Sequence, residues 1–301
     1  MKICIGLCSS RFDLEFKKSI KGLKKIIIPK NVFVNVIVID NNYSKEKKNY
    51  INKIKSNRKF QLTYRIESNK GIVHARNNFL KYTYNLNKKI DYAGFIDDDC
   101  IPKSNWLIEH LKTFKKFNCD ISTGPQILKN NKNVSFLKKY QILNRYINYN
   151  YSKVKWAATN NVLFKFDIVK KYRVRFDIFL NDIGGSDQLF FSKLHLKGLK
   201  IIWNKKAIVH EVAKPNRYFG IWFKMRSLRY GYSGAYMDCH LHGKMIGNIK
   251  SFCKLCLFII FSILNFLIFF NKKNLYLSNY YLNKTLGVFF YFCGKKIKKY
   301  Y

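Results

Sequence analysis

Acidic residues are scarce in this chain: 17 Asp and Glu stand against 57 Lys and Arg, a formal net charge of +40 over 301 residues. Proline numbers only 4 and glycine 15, which excludes collagen-like and Pro-rich extended chains. No long apolar run opens the sequence, and residues 1–9 lead straight into a strand-like stretch. The expectation is therefore no signal peptide and a cytoplasmic N-terminus. The 8 cysteines follow no regular spacing, as in a reducing compartment where they serve as small buried hydrophobes. The densest polar group of this kind is Asp238, Cys239, His240 and His242, with Cys253 and Cys256 behind it. Its spacing matches no common zinc pattern, so no zinc site is expected.

What is present is a folding chain. Apolar residues make up 48% and aromatics 17%, enough for one large domain or two ordinary ones, and too much for a disordered chain. The positive charge runs from Lys2 to Lys299 without gathering into an arm. Abundant Asn, Lys, Ile, Phe and Tyr fit an AT-rich coding bias. An anionic membrane surface or an anionic substrate accounts for the charge as well as nucleic acid does, and no nucleic-acid partner is expected.

The first half alternates short apolar runs with amphipathic ones. Strands are predicted at 3–8, 32–39, 61–66 and 92–96, and helices at 14–25, 44–56, 73–84 and 105–117. This spacing predicts a parallel, doubly wound α/β sheet, with ligands at the C-terminal ends of the strands. The polar residues there are Ser9, Ser10 and Arg11; Asp40, Asn41 and Asn42; residues 67–71; and Asp97, Asp98 and Asp99. Beyond residue 124 the pattern changes. Residues 130–152 suggest a helix and a loop, 156–164 a strand, 187–197 a helix, 199–203 and 207–210 short strands, and 216–237 a basic helix.

Three adjacent aspartates at a strand end, followed by Cys100, Ile101 and Pro102, are the most informative feature. Adjacent carboxylates repel, and a divalent cation relieves that repulsion. Hard oxygen ligands suit Mg²⁺ or Mn²⁺ completed by substrate phosphates. The plainer alternative is an acidic turn neutralised by lysines. Gly71 precedes a helix that carries Arg76 in its first turns, within reach of a phosphate or base, or on a solvated basic face. Gly184, Gly185, Ser186 and Asp187 place a carboxylate at a helix start, which on its own reads as an N-cap.

Taken in order, Val38-Ile39-Asp40-Asn41-Asn42, Asn69-Lys70-Gly71-Ile72-Val73-His74-Ala75-Arg76-Asn77, Phe95-Ile96-Asp97-Asp98-Asp99, Gly184-Gly185-Ser186-Asp187 and Val209-His210-Glu211 resemble the family-2 glycosyltransferases. The similarity is strongest to the bacterial enzymes that build exopolysaccharide and lipid-linked oligosaccharide, and it runs over nearly the whole chain. The resemblance implies a GT-A fold: a Rossmann-like, mostly parallel twisted sheet flanked by helices. It implies a catalytic domain over 1–215, with a nucleotide-sugar half at about 1–124 and an acceptor half at about 125–215. A basic helical connector at 216–250 and a hydrophobic tail at 251–301 would follow.

It further implies an inverting, hexosyltransferase-like transfer from a nucleotide-sugar, a UDP-sugar first among them, with Mn²⁺ or Mg²⁺. Asp187 would be the general base. Asp40, Arg76, Asp97, Asp98 and Ser9 would bind the donor, with Asp40 at the uracil edge. Asp99, Asp97 and His210 would face the metal. Gly185 and Ser186 would face the acceptor, although Ser186 stands where the family usually has Glu. A catalytically impaired nucleotide-sugar-binding relative and a nucleotidyltransferase are the alternatives, with a basic nucleic-acid-binding protein as a remote third.

Residues 255–271 carry no charge, and 275–293 form a more polar, Tyr-rich piece interrupted by Lys284. Lysines flank every boundary, which favours keeping all of them on the cytoplasmic side of an anionic inner membrane. A monotopic or re-entrant hairpin is expected there, convenient for a lipid-linked saccharide acceptor. Two buried helices of a soluble domain are the alternative.

Overall fold

A computed structural model describes residues 1–86, 89–129, 149–212, 220–267, 271–295 and 297. The helix and loop expected at 130–152 fall mostly outside these residues, as do Arg217, Lys296, Lys298 and Lys299. The chain divides into two units. The described residues of the first are 1–86, 89–129, 149–178 and 190–212, and those of the second are 179–189, 220–267, 271–295 and 297.

In the first unit, strands β1 (Lys2–Ser9), β2 (Phe33–Asp40), β3 (Phe60–Ile66) and β4 (Tyr92–Ile96) alternate with helices α1 (Leu14–Lys24), α2 (Lys45–Asn52), α3 (Ile72–Asn85) and α4 (Trp106–Phe117). Each lies within a residue or so of its expected place, except that α2 ends sooner. Short strands follow: β5 (Cys100–Pro102), β6 (Ile121–Thr123), β7 (Gln126–Lys129), β8 (Ser152–Lys153), β9 (Asn161–Lys165), β10 (Ile201–Trp203) and β11 (Val209–Val212). The main sheet has the order β3-β2-β1-β4-β9-β6-β10-β8, and a small sheet has the order β5-β11-β7.

The strands β3, β2, β1 and β4 are parallel. Of these, β1, β2 and β4 are near-continuously apolar, as strands covered on both faces are, while β3 is the more polar edge strand. The pleat divides them cleanly. Ile3, Ile5 and Leu7 join Val34, Val36 and Val38 on one face, under Phe16 and Ile20 of α1 and Trp106 and Phe114 of α4. Cys4, Cys8, Ile37 and Ile39 turn to the other face, under Val73 and Phe79 of α3. Gly6 is required there: a Cβ would meet the Phe79 ring at 2.8 Å.

One expectation needs correction. Strand β9 starts at Asn161, and residues 156–160 before it are turn and irregular chain. It runs antiparallel to β4 and to β6, so the sheet is mostly parallel, as the fold expectation has it.

The second unit contains helices Gly220–His242, Lys244–Leu267 and Lys272–Phe292. They meet at glycines. A Cβ on Gly231 would lie 2.0 Å from the Lys284 carbonyl oxygen, one on Gly287 2.0 Å from that of Leu228, and one on Gly247 2.3 Å from the Cys239 Cα. Backbone therefore lies on backbone at each crossing. The apolar stretch that begins at Leu255 is the latter part of a helix that starts at Lys244. Among the described residues, Lys244–Leu267 is the one helix long and apolar enough to cross a membrane.

Candidate active site

The C-terminal ends of β1, β2 and β4 lie side by side, and their polar termini form one hydrogen-bonded cluster. Register pairs Ser9 with Asp40. The Ser9 hydroxyl donates to Asp98 at 2.6 Å, and the Asn41 N–H donates to the Ser9 carbonyl at 2.9 Å. The Asn41 side chain ties in the β3–α3 loop. Its amide donates to the Glu67 and Asn69 carbonyls, and its oxygen accepts the Gly71 N–H at 2.5 Å. Gly71 has φ of +127°, which a side chain would strain, and it starts α3.

The aspartate turn joins β4 to β5, closed by the Cys100 N–H donating to the Asp97 carbonyl. Its three carboxylates have different surroundings. Asp97 is the open one, with 39% of its side chain exposed and the Arg76 guanidinium 3.9 Å away. Asp98 accepts two bonds from Arg11, at 2.9 Å from Nε and 2.5 Å from Nη2. Asp99 is buried and lies 3.0 Å from the same Nη2. A guanidinium thus already neutralises part of the repulsion that the sequence suggested a metal would relieve. Arg76 itself is nearly buried, its guanidinium carbon 5.7 Å from the centre of the Phe176 ring. Asn77 beside it exchanges two 2.9 Å hydrogen bonds with the Phe176 backbone.

Asp40 is brought to the site, but its carboxylate faces inward. It is fully buried and takes four donors: Lys47 Nζ and the Asn42 N–H on one oxygen, the Tyr64 hydroxyl and the Ser44 N–H on the other. Both lone-pair sites of each oxygen are filled, which leaves no acceptor for a base edge. Lys47 and Tyr64 complete this cluster, and the sequence did not reveal either of them. Lys47 is fully buried, yet it lies on a Lys-rich segment that reads as a solvated face. Ser9 likewise spends its hydroxyl on Asp98.

His210 sits on β11, opposite Ile101 of β5 and Ile127 of β7. Its strand neighbour Glu211 accepts from the Gln126 amide at 2.6 Å. Among the described residues, no three His, Cys, Asp or Glu side chains gather where they could hold an ion. His210 is therefore not collected with Asp97 and Asp99 into a ready-made triad.

Asp187 belongs to the second unit, in the first turn of the helix Ser186–Leu196. It is half-buried, and its Oδ1 accepts the Gln188 N–H at 2.9 Å. Gly184 and Gly185, with φ of +89° and +86°, make the turn that sets its direction. Ser186 is 2% exposed, so its side chain faces the interior.

The Cys/His group near residue 240 is dispersed. Asp238 is bound by Lys254 at 2.6 Å, Cys239 lies 3.2 Å from the Asn248 side chain, and His240 stacks on Tyr236.

Comparison with known proteins agrees with this geometry. The family profile described as Glycosyl transferase family 2 matches residues 16–173, over half of the chain. The succinoglycan biosynthesis protein ExoM of Rhizobium meliloti (strain 1021) is 24% identical over 249 residues, covering 82% of this chain and 76% of ExoM. Among solved structures, the mannosyltransferase PcManGT of Pyrobaculum calidifontis, in complex with GDP-Man and Mn²⁺, superposes with a TM-score of 0.64 at 12% identity. That match covers 98% of this chain and 88% of PcManGT. S. aureus TarS superposes with a TM-score of 0.55 at 14% identity over 91% of this chain, which spans only 45% of the TarS chain. Residues 1–349 of TarS, in complex with UDP-GlcNAc, give a TM-score of 0.57 at 11% identity, covering 99% of this chain and 93% of that one. The strand-end cluster, the matched segment and the shared fold together make this chain a member of glycosyltransferase family 2, with a GT-A fold.

Proposed function

We propose that the protein is an inverting glycosyltransferase that moves a hexose from a nucleotide-sugar, a UDP-sugar by preference, to a saccharide hydroxyl. The observation that carries this reading is the aspartate turn at the end of β4, set beside the ends of β1 and β2 with Arg76 3.9 Å from Asp97. Structural relatives that bind UDP-GlcNAc and GDP-Man support a nucleotide-sugar donor and bracket its base.

The donor set suits a hard divalent cation. Asp97 and Asp99 supply oxygen, and the cation of choice, Mn²⁺ or Mg²⁺, commonly uses one or two carboxylates with phosphate and water. When bound, such an ion neutralises charge on a diphosphate leaving group. Arg76 adds fixed positive charge for the same phosphates. Asp98 and Ser9 serve by holding Arg11, and Asp187 takes the proton of the acceptor hydroxyl. The Gly184–Gly185 turn orients that carboxylate, and Ser186 anchors it from the interior.

The name of ExoM points to polysaccharide assembly, and the Lys244–Leu267 helix points to a membrane, where a lipid-linked saccharide would be the acceptor. The working location is the cytoplasmic face of that membrane.

Calorimetry of UDP with detergent-solubilised protein tests the reading. Binding should require Mn²⁺ and be lost in Asp99→Ala. Asp187→Asn should keep UDP affinity within about threefold and lose transfer by at least about 10³-fold, as for a missing general base combined with lost positioning. Equal loss of UDP binding in both variants would overturn this division of roles.

A further inference from the structure

Arg11 is held by Asp98 and Ser9 in the reading above but is given no task of its own there, and it sits at the centre of the charge cluster. Its fork grips Asp98 by two bonds, and the Nη2 that makes one of them also lies 3.0 Å from Asp99 Oδ2. Asp13 stands 3.6 Å from Nε on the outer side. The three side chains Arg11, Asp98 and Asp99 are 21%, 15% and 8% exposed, so water screens them weakly.

Asp98 is the anchored partner. Ser9 donates to its carboxylate at 2.6 Å, and Ser19 donates to its carbonyl at 3.1 Å. The Arg11–Asp98 fork is therefore the fixed part, and the Arg11–Asp99 contact is the single, replaceable one.

We propose that Arg11 is the resident counter-ion of Asp99, and that it makes divalent-cation binding at Asp97 and Asp99 depend on the donor diphosphate. This rests on the donor-site reading. A cation arriving alone finds Asp99 already matched by a positive charge a few ångströms away. A cation arriving with a diphosphate brings the negative charge that offsets Arg11. The two ligands then bind cooperatively, and the coupling is reciprocal. Asp98, on this account, is a positioning residue for Arg11 and not a metal ligand.

The test is a titration of the full chain in detergent with Mn²⁺, read by the electron paramagnetic resonance of free Mn²⁺, with and without UDP. The variants are Arg11→Gln, Arg11→Lys and Asp98→Asn. In the wild type, UDP should raise Mn²⁺ affinity by at least about tenfold, a coupling of ordinary size. Arg11→Gln should bind Mn²⁺ alone about tenfold tighter than the wild type, because a charge beside a carboxylate ligand is gone. Arg11→Lys loses the fork to Asp98 but keeps the charge beside Asp99, and should stay nearer the wild type than Arg11→Gln does. Asp98→Asn releases the fork onto Asp99 and should weaken Mn²⁺ alone.

A purely structural Arg11 would give the opposite sign, with Arg11→Gln weakening Mn²⁺ and UDP together, and that result overturns the proposal while leaving the donor reading intact. If Arg11→Gln fails to fold, unchanged Mn²⁺ affinity in Asp98→Asn overturns it instead. Wild-type protein that binds neither Mn²⁺ nor UDP, separately or together, overturns the donor reading and this proposal with it.

Discussion

Two carboxylates at the ends of strands on either side of β1, Asp40 and Asp97, have similar sequence contexts and opposite surroundings. Asp97 keeps 39% of its side chain in solvent and can meet a ligand. Asp40 is fully buried, with its oxygens filled by Lys47, Tyr64 and two backbone N–H groups. Its work is to fix the loop after β2, on which Asn41 and Gly71 depend. Asp40→Asn should therefore weaken UDP and GDP by the same factor, read by paired calorimetric titrations. A loss confined to UDP would mean that Asp40 reads the base. Lys47→Met leaves the buried carboxylate without its ammonium and should cost about 3–5 kcal/mol in urea unfolding, as for a broken buried ion pair. The aspartates were legible because acids are rare in this chain and these stand at the ends of apolar strands. Lys47 was not, because one buried lysine looks like any other among 57 basic residues.

At the scale of elements, the strands and helices of the first half were legible because each carries its own period. Strand direction is not a local property. β9 enters antiparallel because pairing across the sheet places it, and its sequence is as apolar as a parallel strand would be. The same region hides a polar core. Asn161 accepts from the Trp106 indole at 2.7 Å and donates to the Pro125 and Ala207 carbonyls, which fixes the orientation of its amide. Its oxygen therefore faces His110 Nε2 as an acceptor at 3.2 Å, and Ser122 lies 2.8 Å from Nδ1. This arrangement suits a neutral imidazole protonated on Nε2, and burial lowers the His110 pKa from 6.5 to about 4. The unfolded chain then takes up a proton near pH 6.5 and the native chain only near pH 4. Stability conferred by the neutral ring is whole above pH 6.5, falls through that window and levels off below about pH 4. The total is roughly 3 kcal/mol. Urea unfolding of wild type and His110→Gln across pH 4–7 should show this slope only in the wild type. In the helical unit, Gly287→Ala forces the backbone of two helices apart and should lower the unfolding midpoint, whereas Gly234→Ala, with open space around its Cβ, should not.

For the whole molecule, the question is whether a +40 chain with an exposed apolar helix meets a membrane. Phe252, Ile260, Leu264 and Leu267 stand exposed on Lys244–Leu267, and only 11% of its most apolar window is buried. A soluble-domain core helix would be covered, and this one is not. The helix is 24 residues, about 36 Å at 1.5 Å per residue, which is long enough to cross a hydrocarbon core of about 30 Å. Length alone thus permits a span. Two features oppose one. Lys250 and Lys254 lie within the helix, and Lys254 is held by Asp238 of the preceding helix at 2.6 Å. Ser262 donates to the Ser278 carbonyl at 3.0 Å, clasping the following helix alongside. An interfacial hairpin keeps every lysine with the anionic headgroups. Cysteine variants of Lys244 and Lys273, in a background with native cysteines replaced, should then both react with a membrane-impermeant maleimide from the same side of inverted vesicles. Reaction from opposite sides would establish a span. Ile260→Glu with Leu264→Glu should release the protein from phosphatidylglycerol vesicles at every ionic strength, because it removes apolar contact that salt does not screen. Salt alone should weaken the wild type only in part.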